Sequence, residues 1–218
     1  MPRKRIPFIR PENKRDAPLI IIAAEGRETE SLYFNSLKEK YATSNIHVVI
    51  IDRKTDSSNP QKVMEALDSF AKKYEIAEDD ELWMVIDRDY QAWSEKEISF
   101  VARQCHQKKG YKLGLSNPAF ELWLLLHVKN ISDYPASEKG KLYKNKRHGT
   151  RRTYLEKELS KVLPGGYEKS RYDTAYLIQN LDMAIRQAKV LDTNSCERWP
   201  NHLGTRVYRL AEKFKKGK

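Results

Sequence analysis

Cysteine is nearly absent from this 218-residue chain, with Cys105 and Cys196 the only two. Two thiols build no disulfide framework, and neither stands at a metal-ligand spacing, so a reducing cytoplasm is the expected compartment. Long apolar runs are missing as well. None approaches the ~20 residues that a membrane span needs, so no membrane contact is expected. The basic stretch from Met1 to Arg15 is followed by no long apolar segment, which argues against a secretory signal. There is no internal repeat and no GxxxxGK[ST] phosphate loop, and no RNA-recognition, zinc-finger or helix-turn-helix signature. What remains is a chain with 39% apolar and 33% charged residues, long enough to bury a core as one domain or one domain with an appendage.

The net charge of +11 is unevenly placed. Residues 1–17 carry +4, residues 18–128 carry −4 and residues 129–218 carry +11. An acidic first part between basic flanks suits a protein that holds a metal in one place and a polyanion around it. The domain reading follows the same divisions: a basic arm without fixed structure over 1–17, an α/β core over 18–128, and a basic loop with helices over 129–218 that complete or cover the core.

The stretch that organises the core is Leu82-Trp83-Met84-Val85-Ile86-Asp87-Arg88-Asp89. A continuous apolar run reads as a strand buried on both faces, and its carboxyl end delivers two acids at i and i+2. Open parallel sheets place their ligands at that end. If strand geometry persists through Arg88, Asp87 and Asp89 face one site, and a divalent cation between them would relieve their repulsion. A turn-capping Asp87 with a solvated Asp89 is the plain alternative.

Two more strands show the same pattern, Leu19 to Ala24 ending at Glu25 and Ile46 to Ile51 ending at Asp52. Helical periodicity separates them: Leu32, Tyr33, Leu37 and Tyr41 after Glu28-Thr29-Glu30, then Val63, Leu67, Phe70 and Tyr74, then Glu95 to Lys109. A short strand follows at Tyr111 to Leu115. This alternation predicts a mostly parallel sheet with right-handed crossovers and helices on both faces. Acids in a first helical turn also favour the macrodipole, which is a structural reason for Glu28 and Glu30.

Ser116 to His127 reads as a buried helix, with Ser116 or Asn117 as cap and Pro118 at the first helical position. Glu121 lies inside its apolar run, where a carboxylate is expensive unless paired or bound to a cation. His127 reads as structural. Residues 129–148 read as a loop or insertion. From Lys139 to Lys157 there are eight basic residues, among them Lys144, Lys146, Arg147, Arg151 and Arg152, with Tyr143 and Tyr154 interleaved. Such a stripe can track a phosphate backbone while its tyrosines stack on bases, and a solvated face has the same composition. Helices are expected from Leu155 to Val162, from Tyr172 to Leu191, and through Leu203, Val207, Leu210 and Phe214.

The ordered blocks EGRETESLYF, WMVIDRD, SNPAFELWLLLH, GYEKSRYD and NHLGTRVYRL resemble the RloB/AbiLii family of bacterial defence proteins, over about Leu19 to Leu210. That resemblance implies a Toprim-like fold, the magnesium-binding catalytic fold of topoisomerases, primases and related nucleases, with a C-terminal helical appendage. The Toprim pattern of a Glu after the first strand and a DxD after a later one falls on Glu25 and on Asp87 with Asp89. In the nuclease branch a second Glu, a downstream acid and a lysine follow. Glu30 or Glu28 fills the first role, Glu121 the second, and Lys169 or Lys157 the third.

The resemblance implies a nuclease that uses Mg²⁺ or Mn²⁺, held by Glu25, Asp87, Asp89 and Glu121, with Lys169 or Arg171 offsetting charge on the scissile phosphate. It further implies an effector of abortive infection against phage whose partner ATPase is encoded separately. RNA, transfer RNA included, is the favoured substrate over DNA. The rival is a non-catalytic nucleic-acid-binding or regulatory subunit of a defence complex, and the sequence leaves oligomeric state open.

Overall fold

The computed structural model describes residues 18–41, 47–50, 59–89, 93–147 and 152–216. The basic arm over 1–17, Asp52 and Arg151 lie outside the described residues. β1 (Leu19–Ala24) and β3 (Glu81–Asp87) are the apolar runs read from the sequence, and their alternation sorts side chains to two cores. Leu19, Ile21, Ala23, Leu82, Met84 and Ile86 pack on one side of the sheet, and Ile20, Ile22, Ala24, Trp83 and Val85 on the other. Asp80 ties the amino ends of both strands together, since its carboxylate accepts the backbone N–H groups of Leu19 at 2.7 Å and Ala77 at 2.8 Å.

With β2 (His47–Ile50), β4 (Tyr111–Asn117) and β5 (Gly204–Thr205), these strands form one sheet in the order β2-β1-β3-β4-β5. All neighbours are parallel except β5, which runs antiparallel to β4. The chain leaves β1 through α1 (Thr29–Tyr41) towards one edge and leaves β3 through α3 (Glu95–Gln107) towards the other. Strand order therefore reverses between β1 and β3, and a crevice opens at their carboxyl ends. The α/β class and the largely parallel sheet are as the sequence implies.

α2 (Pro60–Lys73) and α3 cover the first face, each with a well-made start. Asn59 Oδ1 accepts the Gln61 N–H at 2.7 Å with Pro60 next to it, and Ser94 and Glu97 form a reciprocal capping box. The second face carries α1, α4 (Phe120–Leu125), α6 (Tyr154–Val162), α7 (Thr174–Gln179), α8 (Leu181–Leu191) and α9 (Val207–Lys216). The C-terminal helices share one core with the sheet, because Leu155, Leu159, Leu177, Ala184 and Leu210 belong to the cluster that holds Ile22 and Trp83. Each large side chain fully buried there, such as Phe120 or Phe214, contributes ~1.5–3 kcal/mol.

Four expectations are corrected. Ser116 and Asn117 are no helix cap: they continue β4, where Ser116 Oγ pairs with Thr205 Oγ1 at 2.8 Å and Asn117 Nδ2 donates to the Pro200 carbonyl at 2.7 Å. Ala119, with no side-chain cap, precedes α4 instead. Residues 129–148 are not merely a loop, since they include a short 3₁₀ turn (Ile131–Asp133) and α5 (Ala136–Lys144), anchored by Leu142. The segment from Tyr172 to Leu191 is two helices that meet at Asn180, and Leu203 lies before β5 rather than in the last helix.

Candidate functional site

The crevice between β1 and β3 sets two carboxylates side by side. Glu25 follows β1, is buried, and accepts the backbone N–H of Asp87 on Oε2 at 3.1 Å and the indole N–H of Trp93 on Oε1 at 3.3 Å. Asp87 closes β3 and shares the face of Trp83 and Val85, towards α1 and α4. Its Oδ1 is buried without a hydrogen-bond partner. Leaving such an acceptor unfilled costs ~1–3 kcal/mol, which is a reason to look for a ligand.

The strand does not continue through Arg88. Arg88 is buried and its guanidinium donates to the Trp93 carbonyl at 2.8 Å, while Asp89 takes φ 21° and is exposed. Positive φ in a non-glycine residue costs roughly 1–3 kcal/mol and persists where the surroundings impose it. Here the Asp89 N–H donates to the Pro118 carbonyl at 3.2 Å and its carbonyl accepts the Trp93 N–H at 3.0 Å. Asp87 and Asp89 nevertheless line the same cleft.

Two further acids complete the centre. Glu30, in the first turn of α1, is buried and folds back so that Oε1 accepts the Gly26 N–H at 3.0 Å. A Cβ at residue 26 would lie 1.8 Å from Glu30 Oε2, so a larger residue there would displace the Glu30 carboxylate from its place. Glu28 is exposed, and of the two alternatives only Glu30 belongs to the buried cluster. Glu121 is 7% exposed on α4, and Tyr167 donates its hydroxyl hydrogen to Oε1 at 3.0 Å. Its hydrogen-bond partner is thus a buried tyrosine.

Burial raises the Glu30 carboxyl to about 7, with Glu121 and Glu25 adding to the rise. Asp87 is raised well above the usual carboxylate range, first by burial and then by Glu30, Glu25 and Glu121, while Lys169 pulls it down. At Lys169 burial opposes the charged form, but Glu121, Glu156 and Asp87 outweigh it and raise the ammonium. The centre thus holds more negative charge than its surroundings neutralise.

A cleft of about 130 Å³ opens from these acids, lined by Asp87, Asp89 and Glu121 and rimmed by Lys144, Arg147 and Lys169. Acid cluster and basic stripe, read separately from the sequence, meet here. The stripe is only partly a rim: Lys146 and Arg152 are exposed outside the cleft, and Arg152 donates to Ser160 Oγ at 2.6 Å. Tyr154 is half-buried with its hydroxyl on Glu138, which corrects its reading as a stacking face. Lys157 does not line the cleft, and Arg171 stays at the surface beside Glu168 at 3.7 Å.

Sequence reasoning missed Glu156, which is buried, lines the cleft, and faces Lys169 Nζ at 3.5 Å while capping α6 with Thr153. Its signal was Thr153-x-x-Glu156, a capping-box spacing. His127 is structural as expected. Its Nδ1 donates to the Trp123 carbonyl at 2.9 Å, which leaves Nε2 to accept the Tyr33 hydroxyl at 3.0 Å, and burial lowers the imidazole to about 4.

Oxygen donors in this number suit a hard divalent cation, and the orphaned Asp87 Oδ1 fits one. Among the described residues no three His, Cys, Asp or Glu side chains already converge to enclose an ion. Binding therefore requires the carboxylates to close around it.

Fold and site together define an α/β protein with a buried acidic centre at the switch point of a mostly parallel sheet, opening to a cation-rimmed cleft. The chain belongs to the RloB-like protein family, whose model matches residues 20–214. No curated protein and no solved structure matches it. Among the described residues, no helix is long and apolar enough to cross a membrane.

Proposed function

We propose that this protein is a metal-dependent nuclease that hydrolyses phosphodiester bonds as an effector of anti-phage defence, beside a separately encoded ATPase. The observation that carries this reading is the juxtaposition of Glu25, Glu30, Asp87 and Glu121 with a cleft whose rim is Lys144, Arg147 and Lys169. Glu25, Asp87, Asp89 and Glu121 would hold Mg²⁺ or Mn²⁺, with Glu30 closing the set from α1. Bound there, the ion supplies a water of lowered pKa and a Lewis acid for the phosphoryl oxygens. The chain's own contribution is placement. Lys144 and Arg147 draw the phosphate backbone to the cleft, and Lys169 offsets charge that develops on the scissile phosphate. Trp93 and the Asp87 N–H orient Glu25, and Tyr167 orients Glu121.

RNA is the favoured substrate, by the resemblance to translation-directed effectors rather than by any groove-reading element. The test is direct cleavage: purified protein with total transfer RNA, supercoiled DNA and single-stranded DNA, each with Mg²⁺, Mn²⁺ or chelator, beside Asp87→Ala. Metal-dependent cutting by the wild type alone is expected and selects the substrate class. Nucleic-acid binding without cutting, both alone and with the partner ATPase, would instead favour a non-catalytic subunit.

A further inference from the structure

Lys169 sits on a tight turn whose ends pair through reciprocal backbone bonds, Glu168 N–H to Arg171 carbonyl at 3.0 Å and Arg171 N–H to Glu168 carbonyl at 2.9 Å. Such a turn is mobile unless something fixes it. Here Tyr172 and Thr29 do, and the Tyr172 ring packs on that of Tyr167 with centroids 5.5 Å apart. Tyr172 donates to the Thr29 carbonyl at 2.6 Å, the Thr29 hydroxyl donates to the Lys169 carbonyl at 3.2 Å, and that hydroxyl stands 3.3 Å from the Tyr167 oxygen. Thr29 immediately precedes Glu30. Tyr167 itself is 3% exposed and makes the only hydrogen bond that the Glu121 carboxylate receives among the described residues.

We infer that Tyr167 is a positioning residue that sets the Glu121 carboxylate against the acidic centre, beside the Lys169 turn. This rests on the nuclease reading above. A phenol suits the task because its ring is locked in the core while its single hydrogen is spent on one carboxylate oxygen. Partners of this kind behind a ligand typically change metal affinity or activity by ~10–100-fold when removed.

Tyr167→Phe deletes the hydroxyl and keeps the ring. Tyr208→Phe is the matched control, since Tyr208 is also buried and donates to a buried carboxylate, Asp192, at 3.0 Å, away from the cleft. Mn²⁺ affinity by calorimetry, kcat and KM for nucleic acid, and thermal unfolding are measured for the full-length wild type, both variants, Glu121→Gln and the double variant Glu121→Gln with Tyr167→Phe. The expected result is a fall of about 10-fold or more in kcat and Mn²⁺ affinity for Tyr167→Phe with KM within about twofold. Tyr208→Phe should lose stability alone. In the Glu121→Gln background the Tyr167 change should add little, because the two act as a unit. Wild-type kcat and Mn²⁺ affinity in Tyr167→Phe, equal losses in both tyrosine variants, or full additivity with Glu121→Gln would overturn the inference. A wild type that neither binds Mn²⁺ nor cuts would overturn the nuclease reading and this inference with it, and the wild-type arm tells the two failures apart.

Discussion

Replacing Glu30 by glutamine should make the metal-free protein more stable, and more so as pH rises. The side chain is 4% exposed and its carboxyl is raised from 4.5 to about 7 by burial and by Glu121 and Glu25. A folded value above the unfolded one means that the folded state binds the proton more tightly. The associated stability is complete below about pH 4.5, is lost as pH climbs through about 7, and is absent at pH 8. At ~1.4 kcal/mol per pH unit the loss amounts to roughly 3 kcal/mol. The amide of Glu30→Gln would keep an acceptor for the Gly26 N–H but carry no charge to desolvate. In chelator-treated urea denaturation the variant should exceed the wild type by roughly 2–3 kcal/mol at pH 8, with unchanged m-value, and the two should converge near pH 4.5. Added Mn²⁺ should reverse the order, because the wild type then gains what the variant has given up. A variant no more stable than the wild type at pH 8, or a gap that widens as pH falls, would refute the reasoning.

Two other perturbations separate the site from the scaffold. Arg206, 3% exposed, holds Asp192 at 3.0 Å together with Arg209 at 3.1 Å. Arg206→Met would leave the buried carboxylate with one cation and should cost about 3 kcal/mol by urea denaturation, whereas a loss under 1 kcal/mol would contradict the pairing. Burial alone would raise Asp192, but its bonds to the arginines and Tyr208 hold it below the usual range. The pairing's contribution is therefore present near neutral pH and is lost as pH falls through the lowered folded value. Lys144→Glu with Arg147→Glu should weaken nucleic-acid binding and flatten the dependence of log K on log salt by about two, whereas the same reversals at Lys146 and Arg152 should act less. Equal effects of the two pairs would remove the cleft rim from the account.

Where a stretch is buried on both faces, its composition alone carried the structure. Leu19 to Ala24 and Leu82 to Ile86 read as inner strands of a parallel sheet by their short, continuous apolar runs, and the acids at their ends were visible because polar residues stop such runs abruptly. β4 was read too short because Ser116 and Asn117 are polar. Their partners, Thr205 and Pro200, come from more than 80 residues away, which local pattern does not reveal. α5 was missed because Lys, Glu and Gly dominate it and Leu142 is its one buried anchor. The choice of Glu30 over Glu28 depended on a backbone amide at Gly26, and that of Lys169 over Lys157 on a turn pinned by Thr29 and Tyr172. Asp89 shows the same limit, since its positive φ comes from Pro118 and Trp93.

The central claim is that Glu25, Asp87 and their neighbours form a divalent-cation site, and Mn²⁺ binding to the purified protein at pH 8 tests it most directly. Calorimetry on wild type and Asp87→Asn, with circular dichroism to establish that both are folded, is the measurement. The account predicts saturable binding to the wild type, weaker at pH 6 where Glu30 retains its proton, and loss of that binding in Asp87→Asn. Equal binding by both proteins, or none by either at millimolar Mn²⁺, would contradict it.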